Sequence, residues 1–179
     1  MYLIFELSLY LKPQTALMDF SDMHSLPEWG DHKMLKKRYE GEEWKVKPQL
    51  DAAEKLYNKW REIFMLVESY CETLQDSKDY DHAEKNKELI WQNLFIIAPK
   101  IIGAAGVDLY TLKMENASIV RNNCREMMEQ IKFTAMVGAG EEKYAEAIEH
   151  EMDIFRALFK AWVNTFVKDE YEDEWGLFV

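Results

Sequence analysis

Residues 48–74 read PQLDAAEKLYNKWREIFMLVESYCETL, and within them Ala53, Leu56, Trp60, Ile63, Val67, Tyr70 and Leu74 recur at alternating steps of three and four. That spacing lays one apolar stripe along a helix and is the seam of a rod packed at a shallow angle against long neighbours. Pro48 suits the first helical position, where a missing N–H loses nothing. At 1.5 Å per residue the stretch makes a rod of roughly 40 Å. The polar run Gln75-Asp76-Ser77-Lys78-Asp79 ends it.

Three further segments carry the same signal. The second helix runs from about Tyr80 through Leu89, Trp91, Leu94, Phe95, Ile97 and Ile101, and is apolar on nearly every side beyond Leu94. Pro99 should kink it, because it removes a backbone donor and crowds the carbonyl four residues back, and Gly103-Ala104-Ala105-Gly106 offers a bend or short turn, with Asp108 as the cap of the next helix. The third helix, from Asp108 to about Met136, places Tyr110, Met114, Ala117, Arg121, Cys124, Met128, Ile131 and Ala135 on one stripe. Val137-Gly138-Ala139-Gly140 closes it, and Glu141 and Glu142 open the fourth helix at the positive end of its dipole. Ile148, Met152, Phe155, Phe159, Trp162 and Phe166 then form an aromatic-rich stripe. Four rods joined by short turns predict an all-α, antiparallel four-helix bundle.

The chain divides by texture. Residues 1–47 are an irregular extension expected to pack on the bundle, 48–168 are the bundle, and 169–179 are an acidic, aromatic tail. In the extension Leu3, Phe5, Leu7, Leu9 and Leu11 alternate with Ile4, Glu6, Ser8 and Tyr10, which suits a half-buried strand or a short helix. The loop Ser25-Leu26-Pro27-Glu28-Trp29-Gly30 carries an aromatic suited to capping one end of the bundle.

Composition narrows the function classes. The 179 residues are 48% hydrophobic and 31% charged, with seven Gly and four Pro, which excludes a disordered chain and disfavours a turn-dense β-sandwich. With 22 basic and 33 acidic residues the net charge is −11, which repels a polyanion, so nucleic acid is not an expected partner. The cluster Lys33, Lys36, Lys37, Arg38, Lys45 and Lys47 is broken by Glu40, Glu42 and Glu43 and makes a weak basic patch. The longest apolar run, residues 94–107, holds Pro99 and Lys100 and is too short to span a bilayer. With no basic leader before the apolar N-terminal residues, the expectation is a cytoplasmic protein with no membrane partner. Cys71 and Cys124 lack CxxC partners and read as reduced core residues.

Two constellations carry candidate chemistry. Glu146, His150 and Asp153 stand four and three apart, so a helix aligns them on one edge as oxygen and imidazole ligands for a divalent transition metal. The Glu-to-His step is four and occurs once, whereas carboxylate-bridged diiron bundles repeat a three-residue step, so the same trio also reads as a solvated acidic edge. Arg121 lies in the apolar stripe of the third helix and needs a carboxylate there. Glu151 is its expected partner, as a buried ion pair or as part of an anion contact. The glycine-containing turns at 103–106 and 137–142 lack the strand and the Lys-Ser/Thr pair of a phosphate loop. A small-ligand pocket beside Pro99, lined by Trp91, Phe95 and Met114, is compatible with a broken helix.

The tail is the segment that a bundle does not explain. Five acids, Asp169, Glu170, Glu172, Asp173 and Glu174, precede Trp175, Leu177, Phe178 and Val179, a group costly to leave in water. It docks on its own chain or inserts into a partner's groove, with the acids steering it to a basic rim. The expectation is a non-enzymatic interaction or adaptor module, without a cofactor, that binds a protein partner or itself. The alternative is a metal-binding helical-bundle protein or enzyme.

Overall fold

Apolar stripes at three- and four-residue steps bury themselves by pairing rods, and four rods do so here. A computed structural model of the chain describes residues 26–31, 41, 43–171 and 173–178. It contains a 3-10 turn, Trp29–Asp31, and four helices: α1 (Glu43–Thr73), α2 (Ala83–Ala105), α3 (Tyr110–Met136) and α4 (Glu142–Val163). The protein is an all-α four-helix bundle. Each helix packs on two neighbours, α1 on α2 and α4, and α3 on α2 and α4, with α2 against α3 the most extensive pair and α3 against α4 the sparsest. No helix among the described residues is long and apolar enough to cross a membrane.

The antiparallel order is fixed at both ends. At one end the loops after α1 and α3 interlock: the Gln75 N–H donates to the Ala139 carbonyl at 2.9 Å, and the Glu141 N–H to the Thr73 hydroxyl at 3.3 Å. At the other, the Lys113 ammonium donates to the Gln49 side chain at 3.0 Å. The core between is filled by the stripe residues, with Leu56, Trp60, Ile63, Val67, Ile97, Ile101, Ile131, Ile148 and Trp162 fully buried. Small residues permit the close α2–α3 approach: Ala98, Ala104, Ala105 and Ala117 are buried, and a Cβ on Gly103 would lie 3.5 Å from the Asn116 side chain.

Several helix boundaries differ from those read off the sequence. The first helix starts at Glu43, so Pro48 lies inside it instead of at its first position. A proline this close to an N-terminus removes a single i→i−4 bond, and the turn ahead of it still forms. The second helix begins at Ala83, not Tyr80, because residues 77–80 close a turn in which Ser77 and Tyr80 exchange backbone hydrogen bonds at 2.8 and 3.3 Å. Pro99 lies inside that helix, which runs through Gly103 to Ala105, and the expected short turn falls at its end, at Gly106. Asp108 is not the cap of α3. Leu109 occupies that position without a side-chain bond, and the Asp169 carboxylate, reaching back from beyond α4, accepts the Tyr110 N–H at 2.8 Å.

Of the N-terminal extension, the part described does pack. Trp29 meets Tyr57 at 5.5 Å between ring centroids, and the Tyr57 hydroxyl donates to the Pro27 carbonyl at 2.9 Å. The alternating segment at residues 3–11 and the basic cluster at 33–38 lie outside the described residues.

Candidate functional site

The sparse contact between α3 and α4 leaves a groove of about 460 Å³. Its floor is apolar: Cys124 and Met128 from α3, and Met152, Phe155 and Phe159 from α4. Its rim is basic: Arg121, Arg125 and Lys132 on one bank, Arg156 and Lys160 on the other, against Glu129 as the acid in the lining. The periodicity that builds the core also builds the rim. Arg125, Lys132, Arg156 and Lys160 each follow a stripe residue by one position, a turn of about 100° that brings the charge to the edge of the apolar face.

Part of the rim charge is compensated. Arg156 donates to Asp153 at 2.6 Å, Lys132 pairs with Glu149, and Arg125 lies 3.8 Å from Glu129. Arg121 and Lys160 have no ion pair among the described residues. Counting Asp153 and Glu149 with Glu129, five cations face three acids, a local excess of positive charge on a chain of net charge −11. The Cys124 thiol in the floor is pushed far up by burial, so it is a packing group and not a thiolate.

The residues singled out from sequence are distributed differently from expectation. Arg121 is exposed and reaches the Asn122 side chain at 3.4 Å, and Glu151 pairs with Lys59 of α1, so the Arg121–Glu151 pair does not form. The reason is angular. Glu151 lies on the side of α4 that faces α1, whereas Arg121 lies on the rim of α3. Glu62 joins the Lys59 ammonium at 2.8 Å, and the Glu151 and Glu62 carboxylates together hold it above its ordinary range.

Glu146, His150 and Asp153 do share an edge of α4, and all three are exposed. Asp153 is held by Arg156, and among the described residues no three His, Cys, Asp or Glu side chains are grouped as a metal ion requires. Trp91 and Phe95, named for a pocket beside Pro99, stack on each other at 5.1 Å and both pack on Phe64.

The tail leaves α4 and is pinned by Asp169 to the start of α3. Beyond that point Trp175 is 80% exposed and Leu177 55% exposed, while Phe178 is half-buried. Val179 lies outside the described residues. The fold and this groove define the class: a helical bundle with an apolar, basic-rimmed cleft between its last two helices. No protein-family model, no curated protein and no solved structure matches the chain.

Sequence reasoning missed the groove. The rim residues Arg125, Lys132, Arg156 and Lys160 were visible as basic positions one step past the stripes, but the stripes themselves read as core. Which pair of stripes stays open depends on how closely the helices approach.

Proposed function

We propose that the protein is a non-enzymatic interaction module that holds an acidic, aromatic-bearing peptide segment in the groove between α3 and α4. The observation that carries the reading is the basic rim around an apolar floor on a strongly acidic chain. Aromatic or aliphatic anchors fit a floor of methionine and phenylalanine, because Met repacks around irregular shapes and Phe offers edges and faces. Acidic flanks fit the rim, and complementary charge sets orientation and on-rate. The acids elsewhere do not cancel this, since at about 0.1 M salt charges beyond roughly 10 Å are screened.

The test uses a fluorescein-labelled synthetic peptide with a Trp and a Leu-Phe pair flanked by Asp and Glu, beside a matched peptide with Lys in place of the acids. Fluorescence anisotropy is expected to show saturable binding of the acidic peptide, weakened at least about tenfold by Arg125→Glu with Arg156→Glu. Equal binding of both peptides, or binding that survives the double charge reversal, overturns the proposal.

A further inference from the structure

We infer that the ligand of this groove is the 173–178 turn of a second copy of the same chain, so that two copies exchange tails. The inference rests on the groove reading above and adds the identity of the ligand. Three observations support it.

The first is chemical. Asp169, Glu170, Glu172, Asp173 and Glu174 precede Trp175, Leu177 and Phe178, which is the acidic-then-apolar order that a basic rim over an apolar floor selects. Charge and apolar complement thus belong to one short segment of this chain.

The second is presentation. One carboxylate oxygen of Asp173 accepts the N–H of Trp175 at 2.8 Å and of Leu177 at 3.2 Å, and the Asp173 carbonyl accepts the Gly176 N–H at 3.1 Å. Gly176 takes φ 65°, the left-handed conformation that glycine adopts without cost. The result is a self-braced turn that holds Trp175 80% exposed. A segment already shaped loses less entropy on docking than a floppy one.

The third is reach. The Asp169 carboxylate is bound to the Tyr110 N–H, so the tail pivots at the start of α3. Trp175 is six residues further on, which allows at most about 20 Å when fully extended, and the turn shortens that. Along α3, Arg121 lies roughly 16 Å from Tyr110 and Met128 roughly 27 Å. While Asp169 holds, Trp175 of the same chain reaches the near end of the groove and not the floor at Met128 and Met152. A second copy has no such limit, and reciprocal exchange closes as a two-fold dimer.

Sedimentation velocity across low to high micromolar concentration tests this with four proteins: the full chain, a chain ending after Tyr171, Trp175→Ala, and the Arg125→Glu/Arg156→Glu variant. The full chain is expected to dimerise reversibly, the shortened chain and the charge-reversed variant to remain monomers, and Trp175→Ala to weaken association about tenfold. Arg125, Arg156 and Trp175 are exposed, so circular dichroism melting should report an unchanged fold for the substituted chains, and the same measurement on the shortened chain checks that its bundle is intact. Mixing the shortened chain with the charge-reversed variant restores association, because one supplies an intact groove and the other an intact tail.

A fluorescein-labelled peptide of residues 170–179 should bind the shortened chain. A dimer that survives removal of the tail overturns the inference. So does a full chain that stays monomeric while the peptide binds the shortened one, which would place the tail in its own groove. If that peptide fails where the generic acidic probe binds, tail exchange falls and the groove reading stands; if neither binds, both fall.

Discussion

The Tyr70 hydroxyl lies 2.6 Å from the Thr134 hydroxyl and donates to the Ile131 carbonyl at 3.0 Å, joining α1 to α3 across the diagonal of the bundle. Burial raises the Tyr70 phenol above its ordinary range. The contact exists because Gly140 has no side chain: a Cβ there would run into the Tyr70 phenol oxygen and ring. Gly138, two residues earlier, takes φ 71° and closes α3 in a Schellman turn, with the Ala139 N–H on the Thr134 carbonyl at 2.9 Å and the Gly138 N–H on Ala135 at 3.0 Å.

Two glycines in one loop therefore serve different ends, and their alanine variants should differ. Gly138→Ala imposes only a backbone penalty, about 1 kcal/mol. Gly140→Ala drives a methyl into the phenol and should cost about 1–3 kcal/mol. Combining Gly140→Ala with Tyr70→Phe removes the closest clashing atom, so the pair should cost less than the sum of the two singles in urea unfolding.

Lys59 and Arg121 offer a second contrast. Lys59 has 14% of its side chain exposed and Glu151 26%, and their ion pair ties α1 to α4. Lys59→Met leaves the Glu151 carboxylate half-buried without its counter-charge and is expected to cost about 1–2 kcal/mol. Arg121→Ala, at an exposed rim, should stay within about 0.5 kcal/mol in the same assay. An equal loss at both positions would contradict the assignment of Glu151 to Lys59.

Alkaline pH should weaken the fold. Burial pushes the Cys71 thiol up to about 12 and the Cys124 thiol further, from an ordinary value of 9.0. A raised pKa means that the folded state keeps its proton while the unfolded chain ionises. Stability is thus complete below pH 9.0 and falls as pH rises towards the folded value, by up to about 1.4 kcal/mol per unit for each thiol. Tyr70 and Lys59, both raised, act with the same sign above their ordinary values of 10.0 and 10.5. Urea midpoints should be flat from pH 7 to about 9 and decline beyond, less steeply in Cys71→Ala/Cys124→Ala.

The number and order of the helices were legible because Leu56, Trp60, Ile63 and Val67, and their counterparts on the other rods, repeat at a helical period that no strand shares. Their ends were less so. Pro48 and Gly103 are local signals for a boundary, but a proline in the second turn costs a single backbone bond, and Gly103 lies between buried Ile101 and Ala104, where packing holds the helix. Capping was misread for a related reason. A cap supplied from a neighbour in sequence leaves a mark at fixed spacing, whereas Asp76 accepting the Ala83 N–H at 3.1 Å and Asp169 accepting that of Tyr110 act through the fold. The groove was illegible because an apolar stripe is the same string of residues whether its neighbour closes over it or stands off.

Asp169 joins stability to docking, and that makes its substitution informative. Its carboxylate satisfies a backbone donor at the start of α3, where Leu109 provides no side-chain cap. Asp169→Ala should therefore cost about 1 kcal/mol, the usual worth of an N-terminal cap. It should also free the tail from its pivot. With the chain tethered only from the end of α4, Trp175 gains reach towards its own groove, so an intramolecular contact competes with exchange between copies. Self-association should weaken in Asp169→Ala although rim, floor and Trp175 are all intact, and Trp175 emission should shift to the blue under dilute, monomeric conditions. Unchanged association together with unchanged emission would show that Asp169 caps the helix without governing where the tail goes.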